Sequence, residues 1–474
     1  MNKDKDLTRG NPFNLIFSFA VSMMMGNVFQ QLYTTVDSII IGKKIGSLEL
    51  ASIGETDWLI FLVNGFLIGL IQGFSVILGR KFGEKDERAF DIYYKKARLL
   101  CFVISILFAA VLLSVSGLLL QIIGTKAEAF DFAITYVNVI FAGIPFLVFY
   151  QFFAAVLRSR GNSRIHLMAM TISSICNILL DLLFICVMKM GIAGAALGTV
   201  LSEALVMVIC GYHVFDARRS AKAEIASGNG ISAGEDNDAD NSDKLRHSEM
   251  SHTSNLAIVR ELMTIGLPMA LQSVITAIGG LIVIRCVNRY DITFFTGYMI
   301  AGKVYALLEI AASSYGMVVV AYVSQNYGAG KLDRIRSGVR ISLAMGVVTA
   351  LLCSFIMIAF GKAAMSLFMD AATASEDIFR YGQDYLLVLG IFYPLLYMLY
   401  IMRASLQGLG NTVVPMISSF GQVIMRVLCA LVLTSFIGCS GIYYGEISAW
   451  ILADLIIIVT YFREIRQVKE CTVD

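Results

Sequence analysis

The sequence predicts an all-α polytopic membrane protein: twelve transmembrane helices in two six-helix lobes, related by a pseudo-two-fold axis along the membrane normal. Three observations carry that expectation. First, 57% of the 474 residues are hydrophobic and only 15% are charged, with a mean hydropathy of +0.75. A soluble domain carries about 25% charged residues, so this chain has too few to coat a water-facing surface. Second, it contains twelve apolar stretches, each near the ~20 residues that a bilayer core demands. Third, its two halves repeat one another.

The first six stretches cover roughly 13–41, 53–79, 97–122, 130–156, 165–188 and 193–214. The second six cover roughly 261–284, 293–323, 341–361, 381–402, 412–437 and 441–462. The run that follows "MNKDKDLTRGNP" is too long for a signal-peptide core and shows no small-residue cleavage site before Asp37. It reads as an uncleaved first span. Residues 216–255 are charged, rich in Ser, Asn and Gly, and poor in large apolar side chains. They read as a solvated linker between an N-terminal lobe (1–215) and a C-terminal lobe (256–474).

Basic residues orient the spans. One set of loops and ends holds 27 Lys and Arg, the opposite set 8, and two (Lys303 and Arg426) fall inside spans. Cytoplasmic loops collect Lys and Arg, which places both termini and the linker on the cytoplasmic side.

The repeat is read without gaps. "YVNVIFAGIPFLVFYQFFAAVLRSRGNS" from Tyr136 mirrors "YLLVLGIFYPLLYMLYIMRASLQGLGNT" from Tyr385. Pro145/Pro394, Leu157/Leu406, Gly161/Gly410 and Asn162/Asn411 share the same offset of 249. "GIAGAALG" (191–198) mirrors "GCSGIYYG" (438–445), and Gly83 mirrors Gly328. Six spans per repeat returns each half to its starting side, which fits a transporter with a route between or within its halves.

Polar residues inside the spans point to chemistry. Asn27, Gln30, Thr34 and Asp37 recur at helical spacing in span 1, and Ser174, Asn177 and Asp181 do so in span 5. A carboxylate facing lipid costs at least about 2–3 kcal/mol, so these stripes should face a cavity or the protein interior. The plain alternative is that both acids bond neighbouring helices. The second half lacks both: Asp37 maps onto Ile282, and Asp181 onto Leu428 or Ala430. Arg426 falls near the counterpart of Asn177 and could place a positive charge in a C-lobe cavity, or serve as a helix–helix partner. Lys303 and Glu309 lie six apart and share no face, while Glu203, Glu446 and Asp454 are expected at helix ends or interlobe contacts. Low dielectric penalises a charged carboxylate, so such an acid can take up a proton on one side of a membrane and release it on the other. When charged it can attract a cation, and Na+ could replace the proton.

Other classes find no carriers. A net charge of +2 gives no nucleic-acid field, and the nine Cys show no C-x-x-C pair. The four His have no metal-ligand spacing. Metalloprotease, serine-hydrolase and P-loop motifs are missing from the sequence, so an enzyme or an ATP-driven pump is not expected, and no cofactor is called for.

"QQLYTTVDSIIIG" followed by "LASIG", with "RSRGNS", "NILLDLLFI", "GIAGAALGTVLS", "GLPMALQ", "VSQNYGAGKLDRIRSGVR" and "SLQGLGNTVVP", resembles the multidrug and toxic compound extrusion (MATE) family, in its DinF-like bacterial branch. The resemblance covers nearly all of the chain outside 216–255. It implies cation-coupled efflux of organic, chiefly cationic small molecules by alternating access, from a bacterial cytoplasmic membrane, with the protein working as a monomer among membrane lipids. It also implies an ion-coupling network at Asp37, Asn177, Asp181, Tyr136 and Thr199. The chain departs from the family at Ser22, where many relatives carry a helix-bending Pro. It also lacks the helix-7 acid that the NorM-like branch carries beyond "GLP". A lipid-linked precursor flippase is the alternative with the same two-lobed plan.

Overall fold

The computed structural model describes residues 5–226, 254–369 and 375–470, and among them there are helices and turns but no strand. The first half comprises α1 (Pro12–Lys44), α2 (Ser47–Gly83), α3 (Glu87–Ile123), α4 (Ala127–Ala142), α5 (Ile144–Ser159), α6 (Arg164–Asp181) and α7 (Gly191–Ala226). The second comprises α8 (Asn255–Val287), α9 (Ile292–Gly328), α10 (Leu332–Met365), α11 (Glu376–Gly408), α12 (Val413–Leu428), the short α13 (Thr434–Ile437) and α14 (Ser440–Glu470). Eleven of the described helical segments are long and apolar enough to span a membrane, and α4 with α5, bent by 46°, makes the twelfth. The expected twelve spans are therefore present. Of the polar linker, 216–226 continue α7, and 227–253 lie outside the described residues.

Local chemistry sets the ends. Asn11 caps α1 by accepting the Phe13 N–H, with Pro12 in the first helical position, where its missing N–H is harmless. Asp86 caps α3 through the Ala89 N–H at 2.8 Å, and Asp291 caps α9 through the Thr293 N–H at 3.0 Å.

The repeated glycines have repeated jobs. Gly161 and Gly410 both take positive φ (+74° and +88°), and the Asn that follows each accepts an N–H from the first turn of the next helix (from Ile165 and Val414). Gly191 and Gly438 (+61° and +66°) turn the chain into α7 and towards α14. In both halves a π-helical segment precedes that turn, Leu182–Val187 after α6 and Cys429–Leu433 after α12. The repeat breaks at one place. Gly143 ends α4 just before Pro145 and has room for no Cβ against Val200, whereas α11 runs unbroken through Pro394, with Phe392 where Gly143 would be.

Between the lobes, α2 packs along α8 and α9, and α1 meets α9. At the basic end the contact is reciprocal: a Cβ on Gly83 would overlap the Gln325 backbone, and one on Gly328 would overlap the Arg80 backbone. Gly79 abuts Ser324, its own counterpart at an offset of 245, so the pseudo-two-fold axis passes here. The segment before α1 seals this end. The Leu7 N–H donates to Gln325 Oε1 at 2.9 Å, and Gln325 Nε2 donates to the Ser159 carbonyl at 2.7 Å. Lys331 donates to the Thr8 carbonyl at 2.9 Å, while Arg334 reaches the Leu7 and Gly10 carbonyls at 3.1 and 2.9 Å. Arg80 closes the other flank on the Leu409 carbonyl at 2.5 Å, and Tyr93 donates to Glu261. Towards the opposite end Thr34, Ser38, Asp57 and Lys303 are exposed, and Gly54 and Gly302 have open space beside them.

Candidate functional site

The N-lobe interior is assembled by three helices. Ser174 of α6 donates to the Phe29 carbonyl of α1 at 3.1 Å, and Ser173 donates to the Ser202 carbonyl of α7 at 3.0 Å. α1 packs against the His166 ring of α6 at Gly26, and Gly198 leaves the space on α7 that the Asp181 carboxylate fills. With the helices so pinned, Asp37 is 8% exposed, and Asn177 and Asp181 are fully buried.

Asp37 and Asp181 face one another across α1 and α6. Asp37 Oδ1, both Asp181 oxygens and both amide atoms of Asn177 are buried with no hydrogen-bond donor or acceptor among the described residues. Two facing carboxylates offer each other no donor unless a proton lies between them. Native proteins pair nearly all buried polar groups, so these five atoms without a partner among the described residues single out the facing acids and the Asn one turn before Asp181.

The structure treats the other expected residues unevenly. Tyr136 on α4 is buried beside Ile41, Ile53, Ile185 and Ile192, within electrostatic reach of Asp37, Asp57 and Asp181. Thr199 spends its hydroxyl on the Ala195 carbonyl of its own helix at 3.3 Å. The span-1 stripe splits. Asn27 crosses to Ser314 of α9 at 3.0 Å, Gln30 is half-buried, and Thr34 is exposed and bonded to the Gln30 carbonyl. Ser22, where a Pro would bend α1, bonds the Ser18 carbonyl inside an unbroken helix.

Two acids escaped the sequence reading. Asp57 and Glu55 lie near the start of α2. Asp57 is exposed within electrostatic reach of Lys303 on α9, across the lobes, and Glu55 Oε2 is buried without a partner. The signal was present in "GETDW", two acids just inside a span boundary.

The C lobe handles charge differently. Arg426 of α12 makes an ion pair with Glu446 of α14 at 2.7 Å, and Tyr400 donates to Glu309 at 2.8 Å. Asp454, 3% exposed, sits within electrostatic reach of Arg403 in the middle of α14. The expectation of helix-end or interlobe places is therefore corrected for Glu446 and Asp454. Glu446 pairs with Arg426 of its own lobe, as an apolar interior tolerates a charge best beside its opposite. Both Asp454 oxygens, by contrast, lie in mid-helix without a hydrogen-bond partner among the described residues, with Arg403 within electrostatic reach. Glu203 also lies well inside α7. Among the described residues no group of three or more His, Cys, Asp or Glu could hold a metal ion.

Comparison with known proteins agrees with this architecture. The chain is 25% identical over 444 residues to the probable multidrug resistance protein YpnP of Bacillus subtilis, covering 94% of this chain and 93% of that protein. It is 22% identical over 409 residues to an FAD transporter of Shewanella oneidensis, covering 85% and 84%. A solved MOP superfamily transporter from Pyrococcus furiosus, whose reversed pocket polarity is taken to suggest a different function, superposes with a TM-score of 0.86 at 20% identity over 99% of this chain and 100% of that one. The MatE family model matches residues 22–183 and 268–432, one block in each lobe. The chain belongs to the MatE family of membrane transporters.

Proposed function

We propose that this chain is a secondary active multidrug exporter that exchanges organic, chiefly cationic substrates for H+ or Na+ by alternating access. The observation that carries the proposal is the Asp37–Asn177–Asp181 cluster, five buried polar atoms without partners and no cation built in. Two unit charges 4 Å apart repel by about 4 kcal/mol at an effective dielectric of 20, so a proton or a small cation between the carboxyls removes a substantial cost. The two occupancies exclude each other, and that exclusion couples an inward ion to an outward cargo. Tyr136, beside the pair, can donate to whichever carboxylate is charged, and Asn177 supplies an amide oxygen for Na+. The basic end, sealed here, is the cytoplasmic one by its excess of Lys and Arg. Substrate therefore enters when Gly83 and Gly328 part and leaves through the opposite end. The multidrug relative supports this cargo class.

An anionic cargo, as named for the FAD transporter, or a lipid-linked precursor has one observation in its favour: Lys303, exposed near the open end. Asp57 lies within reach of that charge, and the N-lobe interior is acidic, so cations remain the better fit.

The test is efflux of a cationic dye from efflux-deficient cells that carry wild type or Asp37→Asn at matched membrane levels, with and without a protonophore. Export by wild type, lost in Asp37→Asn and lost on adding the protonophore, is the expected result. Normal export by Asp37→Asn would remove the acid from the coupling step, and wild type that moves no dye would favour the anionic reading.

A further inference from the structure

A cleft of about 710 Å3 opens at the basic end, between the segment before α1 and the first turn of α10. Arg9, Lys331, Arg334 and Arg336 line it, with Asp333 as the one carboxylate of its lining. Lys331 and Arg334 hold the neutral Thr8, Leu7 and Gly10 carbonyls, and among the described residues neither forms an ion pair with a carboxylate. Asp333 is fully exposed and 3.7 Å from Arg336, and Arg9 is 70% exposed and 3.5 Å from Asp6. Exposed pairs at such distances neutralise little. The first turn of α10 lacks a side-chain cap, so its N–H groups add a partial positive charge to the same wall.

The depth of the cleft narrows the occupant. Phe13 and Phe17, 47% and 51% exposed and stacked on each other, begin the apolar outer face of α1 one turn beyond Gly10. A ligand in the cleft therefore lies level with lipid headgroups, beside the hydrocarbon. The walls also come from both lobes: Arg9 precedes α1, whereas Lys331, Arg334 and Arg336 belong to the C lobe. They stand together only while the segment before α1 is docked and this end is sealed.

We infer that the cleft binds the phosphodiester headgroup of an anionic phospholipid and thereby favours the state sealed at the basic end. A ligand that fits one conformation shifts the population towards it by its difference in affinity. The inference takes its leaflet from the orientation proposed above, but binding itself needs neither that orientation nor transport.

The test uses the full chain in phosphatidylcholine nanodiscs, which expose both faces, with and without phosphatidylglycerol. Two quantities are read: the thermal unfolding midpoint, and the alkylation rate of Gly54→Cys, located by peptide mass spectrometry at the open end. Phosphatidylglycerol should raise the midpoint and speed alkylation. Arg9→Gln and Arg336→Gln should each weaken the apparent affinity about five-fold, as expected for removing one cation from an anionic surface. Both readouts are taken on purified protein without any transport step, so a failed transport reading leaves this result intact. Equal behaviour in both lipids, or an undiminished response in the double variant Arg9→Gln/Arg336→Gln, would overturn the site. If inorganic phosphate in neutral nanodiscs reproduces the whole effect, the anion cleft stands and the lipid as its occupant is overturned.

Discussion

The two lobes share a scaffold and differ in how they treat buried charge. Gly161, Gly191 and Gly194 do the same work in the first half as Gly410, Gly438 and Gly441 in the second. Yet among the described residues the N lobe buries Asp37 and Asp181 facing each other with no cation in electrostatic reach, whereas the C lobe places Arg426 against Glu446 at 2.7 Å and Arg403 within reach of the buried Asp454. A buried charge whose opposite is built into the neighbouring helix is part of the structure. A buried charge whose opposite is missing is where the proposed coupling ion would sit. The divergence falls where the copies differ, at Asp37 against Ile282 and Asp181 against Leu428 or Ala430, while the turn glycines are held.

Asp181→Asn breaks that comparison most sharply. Dye export should fall to the level of cells without the transporter, while the unfolding midpoint stays unchanged or rises, because a repulsive pair has been relieved. A lowered midpoint with export retained would make Asp181 a structural acid like those of the C lobe. The converse experiment takes Arg426→Met. Leaving Glu446 alone in the interior should destabilise by about 3–5 kcal/mol, and Arg426→Met/Glu446→Leu should recover most of it. Thermal melts of purified wild type and the two variants rank them. If Arg426→Met melts normally but exports nothing, the C lobe too carries a coupling charge.

Much of this was legible in the sequence, for reasons that also explain what was not. Asp37, Asn177 and Asp181 stand out because a polar residue in an apolar run of twenty is costly and rarely idle. Asp57 and Glu55 do not, because "GETDW" sits just inside a span boundary, where a charge is ordinary, and only the packing of α2 on α8 and α9 brings Asp57 towards Lys303. Helical spacing tells which residues share a face but not which helix that face meets. The pairing of Arg426 with Glu446 was therefore invisible, and so was the loss of Thr34 to an exposed position. Pro145 and Pro394 are counterparts in the repeat, yet only the span that holds Pro145 is broken into two helices, at 46°, where Gly143 closes on Val200. Gly83 and Gly328 were visible as a repeat. That they are where the lobes cross required three dimensions.

That crossing supplies the next measurement. Gly83→Val puts two methyl groups against the Gln325 backbone, which cannot yield as a flexible side chain would. Overpacking of this kind costs about 1–3 kcal/mol, and here the cost falls only on the state sealed at the basic end. Alkylation of Gly54→Cys at the far end should slow, and Gly328→Val, its counterpart against Arg80, should act alike. A change in one variant alone would show that the pseudo-symmetry of the contact is not a symmetry of its energetics.

The smallest expected effect tests whether the chain before α1 is a seal or only a neighbour. Gln325 bridges three pieces: it accepts from the Leu7 N–H at 2.9 Å and donates to the Ser159 carbonyl at 2.7 Å, from a position on α9. Gln325→Ala leaves the buried Leu7 N–H and Ser159 carbonyl without that partner, a loss of about 1–3 kcal/mol for an unsatisfied buried group. Arg334 and Lys331 still hold the Leu7, Thr8 and Gly10 carbonyls, so the segment should loosen rather than detach. Tryptic cleavage after Arg9 should quicken several-fold while the rest of the chain stays resistant, and Gly54→Cys alkylation should slow slightly. Because Gln325 is the counterpart of Arg80, the paired variant Arg80→Ala removes the corresponding bond to the Leu409 carbonyl on the other flank. If both variants slow alkylation equally, the two flanks seal the basic end as one device. If only Gln325→Ala does, the seal belongs to the segment before α1, and the N lobe closes the gate that the C lobe merely receives.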